Sequence, residues 1–156
     1  MTSNYLFALA IGIGIVAGLR AMTAPLVVSW AAHLGWIELQ GSPLSFMGSK
    51  VAVIIFTLAA IAEYVNDKLP KTPARTAPPA FIARIVMGAL SAACLYAAAS
   101  ESLVVGALFG AVGAVIGTLG GYQARKNLVK ALNIKDIFVA IPEDLVAIAL
   151  GYFIVR

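Results

Sequence analysis

Five long apolar stretches dominate the chain, and none of them alternates apolar and polar residues as a half-buried strand would. A transmembrane helix needs about 20 mainly apolar residues, and each stretch approaches or exceeds that length. The stretches run from about Tyr5 to Ile37, from about Lys50 to Lys68, from about Phe81 to Ser100, from about Ser102 past Gly121 to about Leu132, and from about Ile137 to Arg156. The pattern therefore predicts one all-α transmembrane domain over residues 1–156, a polytopic helical bundle with about five crossings.

The first stretch is too long for a single straight crossing, because about 1.5 Å per residue would carry it well beyond a hydrocarbon core of about 30 Å. Arg20 lies near its middle, where a charge costs roughly 2.5 to 3.5 kcal/mol on insertion scales. Thr23 follows, and Pro25 has no N–H to donate to the carbonyl of Ala21. We therefore expect an interrupted helix here, surrounded by protein or a wet cavity, and a re-entrant hairpin is the alternative to a crossing.

Four acidic residues of the second and fifth stretches are candidate members of the same polar site. Glu63 and Asp67 lie one turn apart at the end of the second stretch, and Glu143 and Asp144 follow Pro142 in the fifth. We predict that Arg20 pairs with Glu63 or Glu143, which are the deepest acids on neighbouring segments.

Crowding and desolvation would favour protonation of an intramembrane carboxylate, so these residues are also a candidate proton or cation site. The competing interpretation is a structural Arg–Glu pair that only locks helices together. For Asp67 the competing interpretation is an ordinary acidic residue at a solvated helix end.

Glycines mark one face of the fourth stretch at steps of three and four residues, including Gly110, Gly113 and Gly117. Small residues let helices approach closely in a membrane, where no hydrophobic drive brings them together. Gly14 and Gly18 in the first stretch have a similar spacing. We therefore predict that the fourth stretch packs against the first through these glycines.

Two pairs of short strings hint at an internal repeat. "GIVAG" at 14–18 resembles "GAVIG" at 113–117, and "AIAEYV" at 60–65 resembles "AIPEDL" at 140–145. Stretches one and two would then be a weak copy of stretches four and five. With one crossing between the copies, they would insert with opposite topology, as in the inverted repeats of many transporters.

Composition supports a membrane location, because 62% of residues are hydrophobic and only 12% are charged. Soluble domains carry about 25% charged residues. The formal net charge of +4 fits basic loops near an anionic leaflet and is no sign of nucleic-acid binding. The single Cys94 permits no internal disulfide and has no metal-ligand neighbours, so no cofactor and no metal are expected.

Lysine and arginine are concentrated in two loops, at 66–80 and 125–136. The positive-inside rule predicts that both loops are cytoplasmic. With five crossings, the N-terminus would also be cytoplasmic and the C-terminus outside. If the first stretch is a re-entrant hairpin, the N-terminus changes side and the two loops do not.

Three strings together, "GLRAMTAP", "EYVNDKLPKTPARTAPPA" and "IPEDLVAIALGY", resemble a family of small bacterial integral membrane proteins known only as a domain of unknown function. The resemblance covers nearly the whole chain. It implies a multi-pass protein of the bacterial inner membrane, and it implies no activity.

The sequence contains no Ser-His-Asp set, HExxH, CxxC or P-loop motif, so we do not expect an enzyme. We expect a small transporter or channel for an ion or small solute, in contact with membrane lipids and assembled as a homo-oligomer. Its candidate binding residues are Arg20, Thr23, Glu63, Asp67, Glu143 and Asp144. One alternative is a non-transporting scaffold or lipid-binding protein whose buried charges are structural. Another is a lipid-modifying enzyme that uses Lys68, Lys71 and Arg75 for phosphate headgroups, although no nucleophile is evident.

Overall fold

A computed structural model describes residues 3–71 and 73–156, and within them the chain forms six α-helices, one short 3-10 helix and no strand. The helices are α1 (Ser3–Leu19), α2 (Thr23–His33), α3 (Lys50–Asn66), α4 (Pro78–Ala98), α5 (Leu103–Leu132) and α6 (Ile137–Val155), with the 3-10 helix at Ser45–Gly48. The predicted all-α fold is confirmed.

Three helices, α4, α5 and α6, are long and apolar enough to cross a membrane. The 17-residue helix α1 is a shorter apolar helix, and α3 has the same length. Large apolar side chains stand exposed on the outer faces of these helices, for example Leu58 on α3, Leu108 on α5 and Phe153 on α6. A soluble protein would bury such surfaces, so the bundle is that of a membrane protein.

Local sequence accounts for several helix ends. The Ser49 hydroxyl accepts a hydrogen bond from the amide of Ala52 at 3.1 Å and caps α3. Pro78 stands at the start of α4, where its missing N–H costs nothing. Asn133 takes a left-handed conformation with φ of 49° directly after α5, which ends that helix.

Glycines bring α1, α4 and α5 into backbone contact. A Cβ atom added to Gly14 would lie 2.9 Å from the Cα of Gly113, and one added to Gly18 would lie 2.6 Å from the amide nitrogen of Thr118. A Cβ on Gly88 of α4 would lie 2.9 Å from the carbonyl oxygen of Gly110, which Gly14 also approaches, so α1 and α4 meet α5 at the same place. The predicted packing of the fourth stretch on the first is confirmed.

The same contacts give the direction of the helices. Residue numbers rise together from Gly14 beside Gly113 to Gly18 beside Thr118, so α1 and α5 run in the same direction. The inverted repeat needs the first and fourth stretches to run in opposite directions. The relative direction of α1 and α5 does not match that expectation, and the repeat is not confirmed.

The chain reverses at Arg20–Met22. Helix α1 ends beside Asp144 of α6. Helix α2 starts there and runs antiparallel to α3, because Thr23 contacts Tyr64 near the end of α3 and Trp30 contacts Thr57 nearer its middle. The first stretch is therefore a hairpin, which is the alternative to a crossing that the sequence left open. Pro25 fits this break, because it stands in the first turn of α2, where a helix needs no N–H from its residues.

We call the end of the bundle where α1 and α3 stop and α4 and α6 begin the charged end. It contains the two basic segments predicted as loops, at 66–80 and 125–136, although residues 125–132 are the last part of α5. Because α1 runs towards this end, Ser3 lies at the opposite end, together with the last turn of α6. The placement of the N-terminus on the side of the basic loops is therefore wrong, whereas the hairpin alternative fits.

Candidate functional site

Arg20 occupies the turn between α1 and α2, and its side chain is 0% exposed. Its Nε donates to Asp144, its Nη1 lies 2.7 Å from Asp67 Oδ2, and its Nη2 lies 3.6 Å from Glu143 Oε2. The predicted pairing with Glu143 is confirmed, but Asp67 and Asp144 are closer. The contact with Asp67 is short yet misaligned for a hydrogen bond, since Nη1 and Nη2 have no hydrogen-bond partner among the described residues. We therefore treat it as an ion pair.

Glu63 has a different role from the predicted one. Its two carboxylate oxygens accept hydrogen bonds from the backbone amides of Ala21 and Met22, each at 2.8 Å. These amides precede the first turn of α2, where a helix offers free N–H groups and the positive end of its dipole. Among the described residues, the cation within 4.0 Å of Glu63 is Arg84, at 3.8 Å, and not Arg20.

Further ion pairs extend the cluster across the charged end. Arg75 binds Glu143 through two nitrogens at 2.6 and 3.0 Å, and Lys68 donates to Asp144 at 2.7 Å. Within the described residues the charged cluster contains five basic and five acidic side chains. Its members are Arg20, Lys68, Arg75, Arg84, Arg125, Glu63, Asp67, Asp136, Glu143 and Asp144. The formal charges cancel, which permits such a dense group of charges in a largely buried place.

Five members of this cluster were not among the candidate binding residues: Lys68 and Arg75, named only for the lipid-modifying alternative, and Arg84, Arg125 and Asp136. Arg125 contacts Asp67 at 2.8 Å and Glu143 at 3.3 Å and also pairs with Asp136. The sequence signal for Arg84, Arg125 and Asp136 is that they lie within or beside the Lys/Arg-rich segments at 66–80 and 125–136. Arg125 and the fifth-stretch acids are brought together by the packing of α5 and α6, which periodicity does not reveal.

Thr23 is fully buried, and its hydroxyl is 2.6 Å from the Tyr64 hydroxyl. This contact joins the start of α2 to the end of α3. Thr23 therefore positions the start of α2 beside Glu63.

Asp67 lies just past the end of α3. Burial raises the pKa of its carboxyl, but a hydrogen bond from Arg125 and the positive charges of Arg20 and Arg125 outweigh burial and lower that pKa from 3.8 to about 2. The carboxylate is therefore ionised at neutral pH, and this part of the charged cluster is held by ion pairs.

A depressed pKa in the folded state means that Asp67 stabilises the protein fully above its unfolded pKa and loses this contribution as the pH falls towards the folded value. We expect the melting temperature of the wild-type protein in detergent to fall between about pH 4 and pH 2 partly for this reason. Asp67→Asn should be less stable at pH 7 and should show a shallower fall over that range. Equal slopes for the two proteins would contradict this assignment.

Two cavities open onto the charged cluster. The larger, of about 950 Å³, lies between α3 and α4 and reaches Ala21, Met22, Glu63 and Arg84. The smaller, of about 580 Å³, is bordered by Lys68, Arg75, Arg125 and Asp136, and Asp67 lines both. Members of the charged cluster therefore line two cavities that are large enough to hold water.

No curated protein and no solved structure matches the chain. A family model matches residues 7–156, which is nearly the whole sequence and includes every residue of the charged cluster. The family has no described activity, so the geometry above is the basis for any functional proposal. The resemblance noted in the sequence is confirmed, and the chain belongs to the family described as Domain of unknown function (DUF4126).

Proposed function

We propose that the protein is a small membrane transporter for an ion or small polar solute, and that the charged cluster around Arg20 is its polar site. The chain reversal at Arg20–Met22 is the observation that carries this proposal. It leaves the N-terminus of the 11-residue helix α2 inside the protein, next to a cavity of about 950 Å³. Interrupted helices whose ends point at a polar site are a common feature of secondary transporters.

The ion pairs of the cluster support movement because several acids have more than one partner. Asp67 contacts both Arg20 and Arg125, and Glu143 contacts Arg20, Arg75 and Arg125. A shift of the α1–α2 hairpin would then exchange one pair for another instead of stranding a charge. Such alternative pairings lower the free-energy difference between two conformations, which a transporter requires.

The Lys/Arg distribution supports a cytoplasmic charged end, since both basic loops lie there. Ser3 and the last turn of α6 would then be on the outer side of a bacterial inner membrane. We also propose that several copies assemble as a homo-oligomer within membrane lipids, because one short bundle encloses little volume. We propose neither an enzymatic activity nor a nucleic-acid partner for this protein.

A non-transporting scaffold or lipid-binding protein is the second candidate. The balanced charges of the cluster and the glycine contacts between α1 and α5 favour it, because both also suit a rigid, permanent fold. In that case the ion pairs would lock the hairpin in place and never exchange.

Flux measurements on purified protein in liposomes distinguish the two candidates. We expect the wild-type protein to carry at least one of a panel of ions and small solutes across the membrane. The double variant Arg20→Met with Asp144→Asn removes one buried pair together and should fold but lose flux. Lys130→Met removes an exposed cation from the same end and should keep wild-type flux. A folded wild-type protein that carries no member of the panel would support the scaffold.

A further inference from the structure

The carboxylate of Glu63 is bound as a ligand would be bound. Each of its two oxygens accepts one backbone N–H, from Ala21 and from Met22, at 2.8 Å in both cases. Free amides and a positive dipole end make a helix N-terminus an anion site. An acidic side chain of the protein itself fills this site in the structure, and it fits the two amides with both oxygens.

Arg84 is an alternative binding partner for the Glu63 carboxylate. The Arg84 side chain is 6% exposed, and its Nε has no hydrogen-bond partner among the described residues. Its Nη2 lies 3.8 Å from Glu63 Oε1, too far for a hydrogen bond but close enough for attraction. A buried guanidinium with an unused N–H is costly, and a short movement of Glu63 would satisfy it.

The cavity beside these groups suits an amphipathic ligand. Its lining includes Ala21, Met22, Glu63 and Arg84, and most of its surface is apolar. Among the wall residues are Ala59, Ala62, Ala80 and Ala83 from α3 and α4. A volume of about 950 Å³ accommodates a molecule with an anionic head and an apolar body of several carbon atoms.

We propose that the cavity between α3 and α4 binds an organic carboxylate whose head replaces Glu63 on the amides of Ala21 and Met22, while Glu63 moves to Arg84. A carboxylate is favoured because two N–H groups already hold two carboxylate oxygens there. Phosphate would bring more negative charge beside Glu63, with Arg84 as the nearby cation. This ligand is the substrate class of the transporter proposed above, and only its transport rests on that proposed function.

Binding can be measured on the wild-type protein in nanodiscs of zwitterionic phosphatidylcholine. The probe is octanoate, and octanamide is the matched neutral control. We expect saturable octanoate binding that shifts the ¹⁵N amide resonances of Ala21 and Met22, and at least tenfold weaker binding of octanamide. Equal affinity for octanoate and octanamide, or binding that leaves both resonances unchanged, would overturn the proposal.

Two variants test the exchange of partners. Glu63→Gln weakens the internal competitor, so octanoate should bind at least tenfold more tightly. Arg84→Gln removes the second position of Glu63, so octanoate should bind at least tenfold more weakly. Glu101→Gln, an exposed acid in the turn before α5, should bind octanoate as the wild type does. If Glu63→Gln leaves octanoate affinity unchanged or lowers it, the proposal is wrong.

Competition with phosphate tests whether the site is specific for carboxylates, and flux in liposomes tests transport separately from binding. Inorganic phosphate should not displace octanoate at equal concentration, and displacement would point to a general anion site instead. If a variant does not fold, the amide resonances of the wild-type protein decide alone. Octanoate binding without flux in liposomes would sink the transporter and leave this site intact, whereas flux of another solute without octanoate binding would sink this site alone.

Discussion

Arg20→Met is expected to destabilise the protein by about 3 to 5 kcal/mol, because it strands buried carboxylates that now share the Arg20 charge. Asp144 loses the donor at its Oδ1, and Asp67 loses a contact of 2.7 Å. The free energy of unfolding in mixed micelles, titrated with a denaturing detergent, measures this loss. Lys130→Met is the matched control, since it removes an exposed cation, and it should change stability little.

The pair also predicts mutual rescue. Asp144→Asn added to Arg20→Met removes the stranded charge, so the double variant should recover much of the lost stability. The remaining partners of the cluster, Lys68 among them, limit the recovery because Lys68 also binds Asp144 at 2.7 Å. A loss below 0.5 kcal/mol for Arg20→Met would mean that water already solvates this site. No gain in the double variant would mean that Arg20 acts through Asp67 and Glu143 instead.

Gly113→Leu is expected to prevent normal folding of the bundle. A Cβ atom at this position would lie 3.0 Å from the Cα of Gly14 and equally close to the carbonyl carbon of Ile11. Both are backbone atoms of α1, so no side-chain rotation can make room, and α1 would have to move away from α5. The variant should show a lower melting temperature and a poorer size-exclusion profile in detergent.

Gly120→Leu is a matched control on the same helix. A Cβ atom at Gly120 meets nothing within 4 Å, so leucine there has open space and better helix propensity. This variant should purify and melt like the wild type or slightly better. If Gly113→Leu behaves as Gly120→Leu does, α1 and α5 are not in backbone contact.

Helix positions and the glycine packing could be predicted from sequence, because both depend on local periodicity. The spacing of Gly14 and Gly18 and that of Gly110, Gly113 and Gly117 indicated two matching faces, and these faces meet. The pairing of Arg20 with Glu143 could be predicted because a buried charge needs an opposite charge.

The direction of the first stretch could not be predicted in the same way. A few backbone dihedrals at Arg20–Met22 decide whether α2 continues or reverses, and Pro25 signals an interruption without giving its angle. The partner of Glu63 was missed for a related reason. The amides of Ala21 and Met22 have no residue type that marks them as donors, and they become available only once the helix is broken.

The separation of Arg20 and Asp144 by 124 positions has a consequence for biosynthesis. A ribosome delivers the α1–α2 hairpin to the membrane long before the carboxylates of α6 exist. Until α6 is inserted, Asp67 is the acid among the ion-pair partners of Arg20 that has already been made, and the charged cluster is completed as a late step of insertion. A nascent chain that stops before α6 keeps Asp67 as a partner of Arg20 but lacks Glu143 and Asp144, so its charged cluster has an excess of positive charge.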